Sequence, residues 1–153
     1  MATEQKRVTQ MGTVSRLRAM QSGQATQRYA RSLHAVQQAE QALAAQQAIY
    51  EHVLEHCLNQ QVSGLVLDPA QHEQRLQALL GLRARLAMQQ AQLREAEAAH
   101  HTNTQALTEA RTREHLAAKA LEAAEQALAR HWLAQELIDV FDAQQAGGAG
   151  YGV

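Results

Sequence analysis

The sequence predicts an all-α fold in which two long helices form an antiparallel coiled-coil hairpin. Three observations carry that expectation. The second half of the chain holds a heptad repeat, one strong break divides the chain near its middle, and the composition suits helices better than a globular core. Of the 153 residues only 3% are aromatic, with one Trp, one Phe and three Tyr. Hydrophobic residues reach 46%, yet much of that is alanine, which favours helix and buries little area. A mix of Ala, Gln, Leu, Arg and Glu is the composition of long helices.

The first helix is expected from about residue 4 to 60, loosened near Gly12 and Gly23. At ~1.5 Å per residue it would run roughly 85 Å. Its repeat places Thr26, Leu33, Glu40, Gln47 and Leu54 at a and Tyr29, Val36, Leu43, Tyr50 and Cys57 at d. The break is Gln61-Val-Ser-Gly-Leu-Val-Leu-Asp-Pro69, with a loop expected at about 61–68. Ser63 and Gly64 can end a helix. Asp68 suits the N-cap of the next one, Pro69 its first position, and Gln71 the third position of a capping box.

The second helix is expected from about 69 to 143. Its a positions are Leu79, Leu86, Leu93, His100, Leu107, Glu114, Leu121 and Leu128. Its d positions are Leu82, Gln89, Ala96, Asn103, Ala110, Ala117, Ala124 and His131, mostly small, so the seam should be narrow. Residues 1–146 thus read as one hairpin. Gly147, Gly148, Gly150 and Gly152 predict a flexible tail over 147–153.

Neither helix is stable alone, because each must bury its stripe. Pairing a with d in opposite directions sets Tyr50 against Leu79, Leu43 against Leu86, Val36 against Leu93 and Leu33 against Ala96. Polar then meets polar, with Glu40 opposite Gln89 and Thr26 opposite Asn103. The repeat also admits a slip of one heptad. A parallel two-chain rod is the competing arrangement, and Asp68-Pro69 would interrupt it.

Net charge is −1, so no bulk attraction to nucleic acid is expected. The distribution is uneven. Lys6, Arg7, Arg16, Arg18, Arg28 and Arg31 stand against Glu4 alone in the first 31 residues, while Glu136, Asp139 and Asp142 follow Arg130 with no further Lys or Arg. A lone cysteine, Cys57, forms no internal disulfide and fits a reducing compartment. No apolar run is long enough to span a bilayer, and the start lacks the apolar region of a secretory signal.

Signs of chemistry are sparse. His52-Val-Leu-Glu55-His56 has the H-x-x-E-H spacing that puts two imidazoles on one helix face, with His72 and Glu73 beyond the break. A bare hairpin gives such a pair no cleft, so a solvated face is the expectation, with no metal, no cofactor and no catalysis. Cys57 reads as a small seam hydrophobe, and His100 and His131 as polar layers that fix register. Arg83, Arg85 and Arg94 read as a solvated face. Tyr50 lies near Leu54, Leu76, Leu79 and Leu80, where it plugs the seam or anchors a partner. Leu65, Val66 and Leu67 add apolar residues at the loop and make that end a candidate contact surface.

Gln37-Gln38-Ala39-Glu40, with Leu43 three residues later and Leu17 twenty before Gln37, resembles the stalk family of type III secretion and flagellar export, FliJ and YscO in its two branches. The likeness continues in a tyrosine near position 50, an interruption at Ser63-Gly64, and a Gln/Leu/Arg-rich second helix. It covers nearly the whole chain. The resemblance implies a non-enzymatic stalk whose paired ends enter a hexameric export ATPase, while the turn touches the export gate or secretion chaperones. It also implies a cytoplasmic place beside the inner-membrane export apparatus. Carried onto this chain, Arg16, Arg18, Arg28 and Arg31 face the ATPase. Tyr50, Leu54, Leu76, Leu79 and Arg83 face the gate or a chaperone. Ile49 and Val53 flank a single Tyr50, and position 72 is His, which favours the virulence branch over the flagellar one. A generic coiled-coil scaffold or adaptor is the main competing reading, and a basic helix hairpin on membrane or nucleic acid a third.

Overall fold

The computed structural model describes residues 2–62 and 68–148, the side chains of Gln61 and Val62 excepted. It is all-α. Two long helices, α1 (Ala2–Val62) and α2 (Pro69–Gly148), are in contact, consistent with a coiled-coil hairpin. The expected apolar loop residues Leu65, Val66 and Leu67, the helix-ending Ser63 and Gly64, and the end of the Gly-rich tail lie outside the described residues.

Local chemistry accounts for the helices. α1 holds no proline, and α2 has only Pro69, at its first position, where no intrahelical N–H is missed. The Asp68 carboxylate accepts the Ala70 N–H at 3.1 Å, and the Asp68 carbonyl accepts the His72 N–H at 3.0 Å, so Asp68 caps α2 as expected. Threonines, poor helix formers, turn their hydroxyls inward. Thr9, Thr13, Thr102, Thr104 and Thr112 each donate to the carbonyl four residues back.

Two helix bounds differ from expectation. α1 passes through Gly12 and Gly23 without interruption, since each glycine costs only about 1 kcal/mol against alanine and neighbouring turns hold it. α2 runs through Gly147 and Gly148 rather than stopping at 143. Ala143-Gln-Gln-Ala146 before them are sound helix formers, and the cost of glycine falls only on the last turn.

The chain divides into two compact units. The unit Thr26–Ala106, called here the His100 unit, combines part of α1 with the start of α2. Along α2 its half-buried positions are 72, 75, 79, 82, 86, 89, 93, 96, 100 and 103; from 79 onward these are the expected a/d stripe, and 72 and 75 extend it by one heptad. Along α1 they include Tyr29, Val36, Leu43, Tyr50 and Cys57, the expected d positions. Their companions, however, are Ser32, Ala39, Gln46, Val53 and Gln60, one residue before the expected a positions. Thr26, Glu40 and Gln47 are exposed instead of lying in the seam. Leu33 and Leu54 are half-buried at its edge. At 32 and 39 a small Ser and Ala fit the narrow seam while Leu33 covers its flank from one residue along; Gln46, Val53 and Gln60 continue the same line without being small.

Within this unit the helices run in opposite directions. Tyr29 and Ser32 meet His100, Tyr50 shares a groove with Arg83 and Leu86, and Val53 shares one with Ala78 and Leu82. The Tyr29–His100 contact lies three heptads along each helix from Tyr50 and Leu79, so it falls on the expected alignment.

The second unit, Met1–Ala25 with Leu107–Val153, is called here the Leu107 unit. Its seam positions are 4, 8, 11, 15, 18, 22 and 25 on α1 and 107, 110, 114, 117, 121, 124, 128 and 131 on α2. Ser22, Ala25, Leu107 and Ala124 are its buried residues, and Ala124 is only 2% exposed. Among the described residues of the whole chain no large side chain is fully buried.

Candidate interaction surfaces

The most specific polar arrangement sits in the His100 unit. The Ser32 hydroxyl donates to the Tyr29 carbonyl at 2.9 Å, which leaves its oxygen to accept from His100 Nδ1, also at 2.9 Å. The Tyr29 and His100 rings lie 5.0 Å apart at 45°. Ser32 is buried, and His100 and Tyr29 are half-buried. This is a polar layer of the kind expected of His100. It pins one α1 turn to one α2 turn.

The candidate gate- or chaperone-facing residues fall in the same unit. Tyr50 occupies a seam position, and its exposed side borders a groove lined with Arg83, Leu86, Ala87 and Gln90. Tyr50 and Arg83 are thus brought together, as an aromatic and a cation on one surface. Leu79 is a seam residue, Leu54 lies at the seam edge, and Leu76 is 48% exposed. Cys57 is half-buried at a seam position. His52 is exposed, and His56 bonds Gln60 at 3.0 Å. Among the described residues, no three His, Cys, Asp or Glu side chains converge to hold a metal ion.

The candidate ATPase-facing arginines are split between the units. Arg16 and Arg18 belong to the Leu107 unit, Arg28 and Arg31 to the His100 unit. Arg16, Arg28 and Arg31 are exposed. Arg18 is half-buried and donates to Gln21 at 2.9 Å, so it is partly committed to its own helix.

The sequence reading missed the surface at the end of α2. Every described residue from Trp132 to Gly148 is exposed, including Leu133, Leu137, Ile138, Val140 and Phe141 at 54–71%. At 100° per residue, Leu133, Leu137, Val140 and Phe141 fall on one face, with Ala134 and Ile138 beside them. Continuing the seam heptad past His131 reaches Gln135, Ile138 and Asp142 instead. The apolar face is therefore rotated by roughly 140° from the seam. The available signal was the spacing i, i+4, i+7, i+8 from Leu133 within an acidic segment.

Among the described residues, no helix is long and apolar enough to cross a membrane. No family model matches the chain, and neither the curated proteins nor the solved structures include a match to it.

Proposed function

We propose that this chain is a non-catalytic coiled-coil scaffold or adaptor, a two-helix hairpin that holds partner proteins along its exposed faces. The observation that supports this best is the continuous three-and-four spacing of half-buried side chains on both helices. It commits one stripe of each helix to pairing and leaves the other faces free for partners. Cysteines at Leu43 and Leu86, with Cys57 removed, test the hairpin itself. Crosslinking within single chains is the expected result; crosslinking only between chains would exclude the hairpin.

A more specific reading is the central stalk of a type III secretion system, working in the cytoplasm. It draws support from the exposed Arg16, Arg28 and Arg31 and from the Tyr50–Arg83 groove, besides the resemblance already described. On this reading the paired termini bind a hexameric export ATPase, and the surface around Tyr50 binds the export gate or secretion chaperones. Pull-down with a purified export ATPase separates the two readings. Retention of the hexamer, with stimulation reduced when Arg16, Arg18, Arg28 and Arg31 become Gln, identifies a stalk. Loss of secretion without loss of ATPase binding in Tyr50→Ala would assign the other surface. No retention leaves the scaffold.

A further inference from the structure

We infer that the flank of the His100 unit carrying Arg28, Arg31 and Arg85 docks an acidic amphipathic helix of a partner protein. The inference rests on the scaffold reading and gives one of its partners a chemistry.

The seam divides this unit into two flanks. On one, α1 contributes a line at three-and-four spacing that starts at Arg28 and Arg31, passes Ala35, Ala42 and Ala45, and reaches Ile49. α2 contributes Ala78, Gly81, Arg85, Met88, Glu95 and Ala99 at the same spacing. The groove between the helices puts the two lines side by side, because Val53, one turn after Ile49, lines it together with Ala78, Gly81, Leu82 and Arg85. The Tyr50–Arg83 groove belongs to the opposite flank.

Charge separates the flanks. The first holds three arginines against Glu95 alone, whereas on the opposite flank Glu40, Glu51, Glu73 and Glu97 outnumber Arg83 and Arg94. Glu55 lies on the back of α1, roughly 90° from the middle of the Arg28–Ile49 line. Among the described residues, none of Arg28, Arg31 and Arg85 makes a hydrogen bond or an ion pair, so their charge is open to a partner. An occupant that complements this flank is therefore acidic.

Its apolar content calls for a helix. The Val53 groove encloses about 350 Å³, with Ile49 and Met88 about half exposed on the same lines. A Cβ at Gly81 would meet nothing within 4 Å, so the groove floor is open. The alanines allow another helix to approach closely. From Arg28 to Ile49 the line runs roughly 30 Å, the length of about 20 helical residues. Neither line carries a Phe, Tyr or Trp on which a nucleic-acid base would stack, which favours an apolar stripe seated in a groove.

The test uses the full chain and a fluorescein-labelled synthetic helix of about 20 residues, with leucine and alanine on one face and glutamate on both its flanks. Anisotropy at up to roughly 200 µM protein should give a dissociation constant in the tens of micromolar, about 6 kcal/mol. Arg28→Glu with Arg85→Glu should weaken binding at least about tenfold. Arg83→Glu with Arg94→Glu, the same charge change on the opposite flank, should weaken it less than about twofold. Helicity by circular dichroism should be unchanged in both. Equal weakening by the two pairs, equal binding of a peptide with lysine in place of glutamate, or no binding would overturn the inference. Binding of anionic lipid vesicles or duplex DNA in the peptide's stead, lost with Arg28→Glu and Arg85→Glu, overturns it too. The crosslink between Leu43→Cys and Leu86→Cys within one chain separates the failures. If it persists without peptide binding, only this inference falls; if it is lost, the scaffold reading falls as well.

Discussion

The His100 unit and the Leu107 unit use the same heptad spacing for different ends. In the first, Ser32, Tyr29 and His100 form a hydrogen-bonded layer with the two rings in tilted contact, and its buried residues among those described are Ser32 and Val36. In the second, Ser22, Ala25, Leu107 and Ala124 are the buried residues, and three of these four are small. A hydrogen bond fixes alignment because a slip of one heptad would strand its partners. Close packing of small residues stabilises by proximity but tolerates a slip more readily. The contrast teaches that one heptad spacing can carry a hydrogen-bonded layer in one unit and a line of mostly small buried side chains in the other.

The largest expected effect probes adhesion. Leu107→Ala removes the one large buried side chain among the described residues of its unit and should lower unfolding free energy by about 2–3 kcal/mol, read from urea melts followed at 222 nm. If the cost is below about 1 kcal/mol, the Leu107 unit is not held by its seam, and the contrast with the His100 unit dissolves.

Next comes alignment. A double-mutant cycle with Ser32→Ala and His100→Ala should return a coupling of about 1 kcal/mol, from the hydrogen bond between them. Independent effects would show that the layer does not join the helices.

A third substitution tests the corrected face of α1. Gln46 occupies a seam position, and its Nε2 is buried without a hydrogen-bond partner. Gln46→Leu should stabilise the chain by about 1 kcal/mol, while Gln47→Leu, on the exposed neighbour, should change it by under about 0.5. The reverse order would restore the face first expected from the sequence.

The smallest effect concerns backbone alone. Gly23 is exposed and helical, and a Cβ there would meet nothing within 4 Å. Gly23→Ala should add about 0.8 kcal/mol, seen as a small rise in melting temperature.

Legibility differed between the two helices for a physical reason. α2 announces its seam because leucines recur at Leu79, Leu86, Leu93, Leu107, Leu121 and Leu128, and each sits where the repeat put it. α1 announces only half of its own. Tyr29, Val36, Leu43 and Tyr50 are apolar and were legible, whereas Ser32, Ala39 and Gln46 carry no hydrophobic signal, and Leu33 and Leu54 drew the reading one residue away. Small residues such as Ser32 and Ala39 and a polar one such as Gln46 take seam positions that a pattern of hydrophobicity does not register. Of the candidate surfaces, the alignment led to Tyr50 opposite Leu79, whereas Arg83 read from the residues alone as a solvated face and was grouped with Tyr50 only through the resemblance; the two line one groove. The Leu133–Phe141 face was not, because it departs from the heptad followed from Leu79 onward.

The lack of any fully buried large side chain among the described residues has a calorimetric consequence. Heat capacity rises on unfolding in proportion to the apolar surface newly wetted, about 12–15 cal/mol/K per residue in ordinary globular domains. Side chains already half in water have less to gain. Scanning calorimetry should therefore find an increment well below that range, a shallow stability curve, and a heat-absorption peak broader than that of a globular domain of equal length.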